Sequence, residues 1–228
     1  MMIRRIVLFY FLGHSVLWAQ ETPYDKQLWS GLNVEFNEIS KLDLGLSYQS
    51  RFDRNIQRFR GSYITANASY KLKKGFRWVL AIRAASSPRF DKLRFSGGFT
   101  KNFELGKSTS IKLRALWQYQ MLSGSDLRYG LNVPQQNYRF RISIKQKIAR
   151  KTWITLQTEP LWRKELQAIH INRLRSSVQI DRSLPGPWSV SMGYIIQQGL
   201  GRGTNFHGLL CEISYELKFK KKAVNQKP

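Results

Sequence analysis

The residues with the most evident chemistry are cations that recur at every second position. Residues 138–148 read YRFRISIKQKI, in which apolar or aromatic side chains alternate with Arg139, Arg141, Ser143, Lys145 and Lys147. Successive side chains of a β-strand point to opposite faces, so this segment predicts one cationic face and one apolar face. Three environments suit such a strand: a solvated sheet, a nucleic-acid surface, or the wall of a membrane barrel.

Other segments with the same alternation place more charges on the cationic face. Its predicted cations are Arg51, Arg77, Arg83, Arg94, Lys112, Arg114, Arg139, Arg141, Lys145, Lys147, Arg173 and Arg175, and its predicted acids are Glu35, Asp43, Glu159, Asp181, Glu212 and Glu216. The candidate charge network is Arg139, Arg141, Lys145, Lys147, Glu159, Arg173, Arg175, Asp181, Glu212 and Glu216. In a narrow interior these charges either form a plug of ion pairs, or leave an excess of cations that attracts an anion.

Residues able to catalyse a reaction are sparse. Beyond the first twenty residues the histidines are His170 and His207, too few and too far apart to indicate a metal site. A serine–histidine pair could draw only on Ser176, Ser177 or Ser214, which are near them in sequence. We therefore predict no catalytic, metal or cofactor site. A barrel enzyme that modifies lipid or lipopolysaccharide stays an alternative.

Length, composition and charge limit the class of protein. A chain of 228 residues suits one domain, and 42% hydrophobic residues are enough for a folded core. The formal net charge of +24 predicts an anionic partner, whether nucleic acid, a lipid surface or a small solute. Cys211 is the only cysteine, which excludes an internal disulfide framework.

The N-terminus has the layout of a secretory signal peptide. Arg4 and Arg5 precede an apolar run at residues 6–12, and Ala19 stands before Gln20. We therefore predict a signal peptide at residues 1–19, a main domain at 20–220 and a basic C-terminal tail at 221–228. Export makes nucleic acid an unexpected partner. A soluble exported β protein that binds an anionic polymer is a further alternative.

Alternation with a period of two continues along the mature chain. It extends over segments of roughly 9–14 residues, longer than the five or six typical of soluble strands. Short connections fall at residues 37–40, 73–74, 106–107, 150–151 and 185–186, and longer ones at 53–58, 86–91, 122–134, 163–168 and 199–205. Short turns at one end and longer loops at the other are typical of outer-membrane barrels.

The predicted fold is all-β: an antiparallel, up-and-down transmembrane β-barrel with short periplasmic turns and longer outer loops. Eleven segments can be counted, whereas single-chain bacterial barrels have an even number of strands. We therefore expect about twelve strands, within a range of ten to twelve. The extra pairing would come from residues 128–133 or 23–27. Expected partners are outer-membrane lipid, lipopolysaccharide and a small anionic solute.

Several stretches also resemble one family of small exported proteins. They are LWSGLNVEFNEISKLDLGLSYQSRFD, RFRGSYITANASYKL, INRLRSSVQID, WSVSMGYIIQ and GLLCEISYELKF. The shared motifs are Leu28-Trp29-Ser30-Gly31, Glu159 and Asn172-Arg173-Leu174. The chain is similar to the domain of unknown function 2490 family, which is common in Bacteroidota. The resemblance spans nearly the whole mature chain and implies an outer-membrane barrel, with no particular activity.

Overall fold

The computed structural model describes residues 24–39, 41–88, 91–123, 134–165, 168–200 and 205–218. The predicted signal peptide at 1–19, the candidate strand at 128–133 and the basic tail at 221–228 lie outside these residues. No helix in the described ranges is long and apolar enough to cross a membrane.

Eleven strands make up almost all of the described chain. In chain order they are β1 (Asp25–Ile39), β2 (Leu42–Asp53), β3 (Arg58–Lys71), β4 (Phe76–Ser86), β5 (Asp91–Glu104), β6 (Thr109–Ser123), β7 (Gln135–Ala149), β8 (Thr152–Glu165), β9 (Ala168–Ser183), β10 (Trp188–Gly199) and β11 (Phe206–Lys218). A 3-10 helix, Lys73–Gly75, links β3 to β4. The strands form where the sequence alternates, which confirms the all-β prediction.

The strands close into a barrel in which successive strands pair and the first pairs with the last. Every pair is antiparallel except β1 with β11, which run parallel. The parallel pair follows from the strand count, because the first and last strands of an odd up-and-down series point the same way. The expected twelfth strand is therefore not needed for closure, and residues 25–27 instead extend β1. Closure leaves none of the eleven described strands at an open sheet edge.

The connections define two ends of the barrel. The turn end contains the connections at residues 40–41, 72–75, 105–108, 150–151 and 184–187, and the loop end contains those at 54–57, 87–90, 124–134, 166–167 and 200–205. The prediction of a longer loop at residues 163–168 is wrong, because β8 continues to Glu165 and β9 begins at Ala168. A register shift occurs at Trp162, and beyond it β8 and β9 stay paired to the loop end.

The two faces of the barrel differ sharply in polarity. The outer face exposes large apolar side chains such as Leu80 and Met192, which are 60% and 67% accessible. The inner face buries polar ones such as Glu159 and Gln197, 3% and 1% accessible. A water-soluble protein has the opposite arrangement, whereas lipid-facing barrels alternate apolar-out with polar-in.

Candidate functional site

The candidate site is the cationic lumen of the barrel, a cavity of about 850 Å³. Its wall includes eleven arginines and two lysines but only two carboxylates, Glu35 and Asp43. The cations that line it are Arg51, Arg60, Arg77, Arg83, Lys92, Arg94, Lys112, Arg114, Arg139, Arg141, Arg163, Arg173 and Arg175. Most of the cations that the alternation predicts to face inward therefore line one cavity.

Glu159 is the acid at the centre of the densest charge cluster. Arg139 donates two hydrogen bonds to it, from Nε to Oε1 at 3.1 Å and from Nη2 to Oε2 at 2.6 Å. Arg141 Nε donates to Oε1 at 3.0 Å, and Arg175 Nη1 lies 3.8 Å from Oε2. One buried carboxylate therefore neutralises part of three guanidinium charges, which leaves this wall of the lumen positive.

Strand pairing explains why these groups meet. Glu159 lies on β8 between β7 and β9, and its register partner on β9 is Arg175. Arg139 and Arg141 lie on β7, which pairs with β8 on its other side. Pro160 follows Glu159 and has no N–H to donate, so the β7–β8 ladder is interrupted beside this cluster.

The other acids of the predicted network lie on β9 and β11. Asp181 accepts hydrogen bonds from Thr155 Oγ1 at 3.0 Å and Ser191 Oγ at 2.6 Å. Glu212 is the register partner of Gly31 and lies within electrostatic reach of lumen arginines. Glu216 is the register partner of Glu35 near the turn end. These acids do not join the cluster at Glu159.

Two members of the predicted network, Lys145 and Lys147, lie outside the cavity, toward the turn end of the barrel. Lys145 and Lys147 share the face of Arg139 and Arg141, but both are exposed and neither lines the cavity. Because a strand rises roughly 3.4 Å per residue, they lie far down β7 toward the turn end. Lys145 Nζ lies 5.3 Å from the ring of Trp153 there. Arg173, by contrast, lines the cavity, and its Nε donates to Asn172 Oδ1 at 2.9 Å.

Alternation in the sequence does not predict three of the lining cations: Arg60, Lys92 and Arg163. Arg60 lies beside a register shift in β3, which changes the phase of the alternation. Lys92 is the second residue of β5, and Arg163 lies in a segment that we predicted to be a loop. For Arg60, the adjacent Gly61 is a sequence indication of a β-bulge and so of a change of face.

Several lumen arginines contact aromatic rings. Arg51 lies between two rings, with its Cζ 3.7 Å from the centroid of Trp29 and 4.2 Å from that of Tyr63. Arg175 Cζ also lies 5.4 Å from the centroid of Trp29, and Arg83 Cζ lies 5.9 Å from that of Tyr63. Cation–π contacts stabilise guanidinium groups without consuming their charge, so they preserve a positive lumen.

Two pairs of arginines face each other directly on neighbouring strands. Arg83 on β4 is the register partner of Arg94 on β5, and Arg114 on β6 is the partner of Arg141 on β7. Like charges directly opposite each other destabilise a sheet. Within the described part of the chain, Arg83, Arg94 and Arg114 form no ion pair with a carboxylate.

The two histidines lie away from this cavity wall. His207 Nδ1 and the Tyr194 hydroxyl are 2.5 Å apart near the loop end of β10 and β11. Ser214 lies on the opposite face of β11 from His207, and Ser176 is six residues along β9 from His170. These pairs therefore cannot act as serine–histidine pairs. The described ranges contain no group of three His, Cys, Asp or Glu residues that could hold a metal ion.

Comparison with known proteins gives likenesses of shape only. No protein-family model matches the sequence, and no curated protein matches it. Among solved structures, the β domain of the Bordetella autotransporter BrkA is 15% identical with a TM-score of 0.46, over 71% of this chain and 78% of that one. A bacterial polysaccharide outer-membrane secretin is 6% identical with a TM-score of 0.47, over 74% and 72%. Pseudomonas aeruginosa OccK11 is 12% identical with a TM-score of 0.35, over 72% and 52%. At TM-scores below 0.5, none of their functions is carried over to this chain.

Proposed function

We propose that the protein is an integral outer-membrane β-barrel whose lumen admits small anions. The observation that carries the proposal is the charge imbalance of the cavity lining, in which thirteen cations face two carboxylates and the buried Glu159 pairs with three of the arginines. Fixed charges of one sign in a narrow pore with low-dielectric walls raise the local concentration of counter-ions. The space of about 850 Å³ exceeds by far the roughly 30 Å³ that one water occupies, so hydrated small anions fit.

The membrane part of the proposal rests on the outer face. Leu80, Met192 and Trp78 are all more than half accessible, which is costly in water and favourable in lipid. A soluble exported protein that binds an anionic polymer would need to cover this surface. The predicted signal peptide supports export. The resemblance to the domain of unknown function 2490 family fits the same location and is part of the proposal.

The proposal also places lipid partners at both ends. Arg54 and Arg58 lie at the loop end, where an outer leaflet would present lipopolysaccharide phosphates. Lys74, Arg150 and Lys151 lie at the turn end, close to the headgroups of the opposite leaflet. Arg58 is paired with Asp53, and the cations at the two ends together fit anionic headgroups on both sides.

The test is the ion selectivity of the reconstituted protein in planar bilayers under a salt gradient. We expect the sign of the reversal potential to show that anions permeate more readily than cations. The double variant Arg83→Gln, Arg94→Gln should reduce that preference because both side chains line the cavity. The matched control is Lys101→Gln, since Lys101 packs on the outward ring of Phe76 at 4.1 Å. Cation preference, or no conductance, would contradict the proposal.

A further inference from the structure

The two like-charged register pairs form a single cluster, here called the arginine quartet: Arg83, Arg94, Arg114 and Arg141. Arg114 lies within electrostatic reach of both Arg83 and Arg141, and Arg83 within reach of Arg94. All four side chains line the cavity. Arg83 thus links the two pairs, which lie at different heights because Arg94 and Thr100, the register partner of Arg114, are six residues apart on β5.

The quartet has hydrogen-bond donors to spare. Arg83 Nε donates to Thr65 Oγ1 at 2.8 Å, and Arg94 donates from Nε and Nη2 to Gln120 Oε1 at 3.1 and 2.5 Å. Arg114 Nε is buried and, within the described residues, has no hydrogen-bond partner. Each guanidinium carries five N–H donors, so most remain after these bonds. A buried guanidinium donor without a partner is costly and marks a place for an acceptor.

The neighbouring acid meets this demand for one member of the quartet, Arg141, and not for the other three. Glu159 lies within electrostatic reach of Arg114, but its oxygens bond Arg139 and Arg141. Arg83 and Arg94 are bonded to neutral partners, Thr65 and Gln120. The quartet therefore holds more positive charge than its surroundings neutralise.

We infer that the arginine quartet is a binding site for a phosphate-type oxyanion. A doubly charged tetrahedral oxyanion offers several acceptor oxygens, and guanidinium forks match it with paired hydrogen bonds. Such an ion would bridge like-charged partners that otherwise repel across β4–β5 and β6–β7. The inference deepens the proposed function, because it names the class of anion that the lumen holds. Two sources share this chemistry: free inorganic phosphate and the phosphate of a lipid headgroup.

The test measures binding rather than conductance, so it can succeed or fail independently of the pore experiment. The full-length exported protein, folded in detergent at low ionic strength, is titrated calorimetrically with inorganic phosphate and with dihexanoyl phosphatidic acid. Saturable binding of inorganic phosphate supports a free solute, and binding of the phosphatidic acid alone supports a headgroup. Binding of neither overturns the inference.

Variants locate the site. Arg114→Gln should weaken phosphate binding by about tenfold, because it removes a charge-assisted hydrogen bond. Arg114→Lys keeps the charge, which favours folding, and should also weaken binding because the planar fork is lost. Lys147→Gln removes an exposed cation from the face of Arg141 and should leave binding unchanged. Equal weakening in Lys147→Gln and Arg114→Gln would show nonspecific attraction and overturn the assignment.

Discussion

Glu159 shows how one residue can set the charge of a wall. Its carboxylate bonds Arg139 and Arg141 and lies 3.8 Å from Arg175, while its side chain is almost fully buried. Removal of one partner from a buried ionic group leaves the others without compensation, which costs more than the pair contributed. The residue therefore acts on stability and on the electrostatic potential of the lumen together.

We expect Glu159→Gln to lower the free energy of unfolding by about 3 kcal/mol, because three arginines lose their counter-charge. The same variant should increase anion preference in bilayers. Urea unfolding of the protein in lipid vesicles measures the first effect. Glu104→Gln is the matched control, since Glu104 is exposed at the turn end of β5. Equal losses in both variants would contradict this role for Glu159.

At the residue scale, the sequence alone predicted which charges face inward but not which of them meet. Arg139, Arg141, Glu159 and Arg175 were assigned to one face by alternation, and the structure brings them together. Lys145 and Lys147 were assigned to the same group, although distance along β7 separates them from it. Alternation reports the face of a side chain, whereas height along the barrel depends on register between strands.

At the scale of elements, the parallel pairing of β1 with β11 is the feature that local pattern could not reveal. Periodicity predicts each strand from its own residues, but closure depends on residues far apart in sequence. The rule of even strand numbers led to an expectation of twelve, and eleven strands close the described barrel. Register shifts in β3 and β9 were missed for the same reason.

Cysteine cross-linking checks the parallel pair with a single substitution. Ser30 on β1 is the register partner of Cys211 on β11, and Cys211 is the chain's only cysteine. Adjacent strands lie about 4.8 Å apart, within the range of Cα separations that a disulfide spans. We therefore expect Ser30→Cys to form an oxidised cross-link to Cys211, detected by mass spectrometry of the linked peptides.

The control for this cross-link is Val34→Cys on the same strand. Val34 pairs with Tyr215, four residues beyond Cys211, so a link should not form. A link from Val34→Cys but not from Ser30→Cys would refute the register. Absence of any link under oxidising conditions would indicate that another strand separates β1 from β11.

At the scale of the whole molecule, the outer surface decides between lipid and water as the surroundings. Its apolar side chains lie on every second residue of neighbouring strands, for example Leu80 and Ile82 on β4, with Phe95 on β5 opposite Ile82. In a bilayer such residues are matched to acyl chains, so a charge among them is unfavourable to a degree that depends on depth.

We expect Leu80→Arg to destabilise the membrane-inserted protein by about 2–4 kcal/mol, because Leu80 lies near the middle of β4. Phe76→Arg, at the turn end of the same strand, should cost only about 0–1 kcal/mol. Urea unfolding from lipid vesicles compares the two. Equal costs, or a Leu80→Arg variant that is recovered without detergent at full stability, would argue for a water-exposed surface.

The parallel pair also has a consequence for the order of folding. Every other strand pair joins successive strands, whereas Asn33 Nδ2 donates to Ser214 Oγ at 3.3 Å across 181 residues of chain. Joining ends so far apart costs chain entropy of about 5 kcal/mol by the logarithmic dependence on loop length. We infer that the β1–β11 pair forms last, after the ten antiparallel pairs have assembled successively, and that its rate limits completion of the barrel.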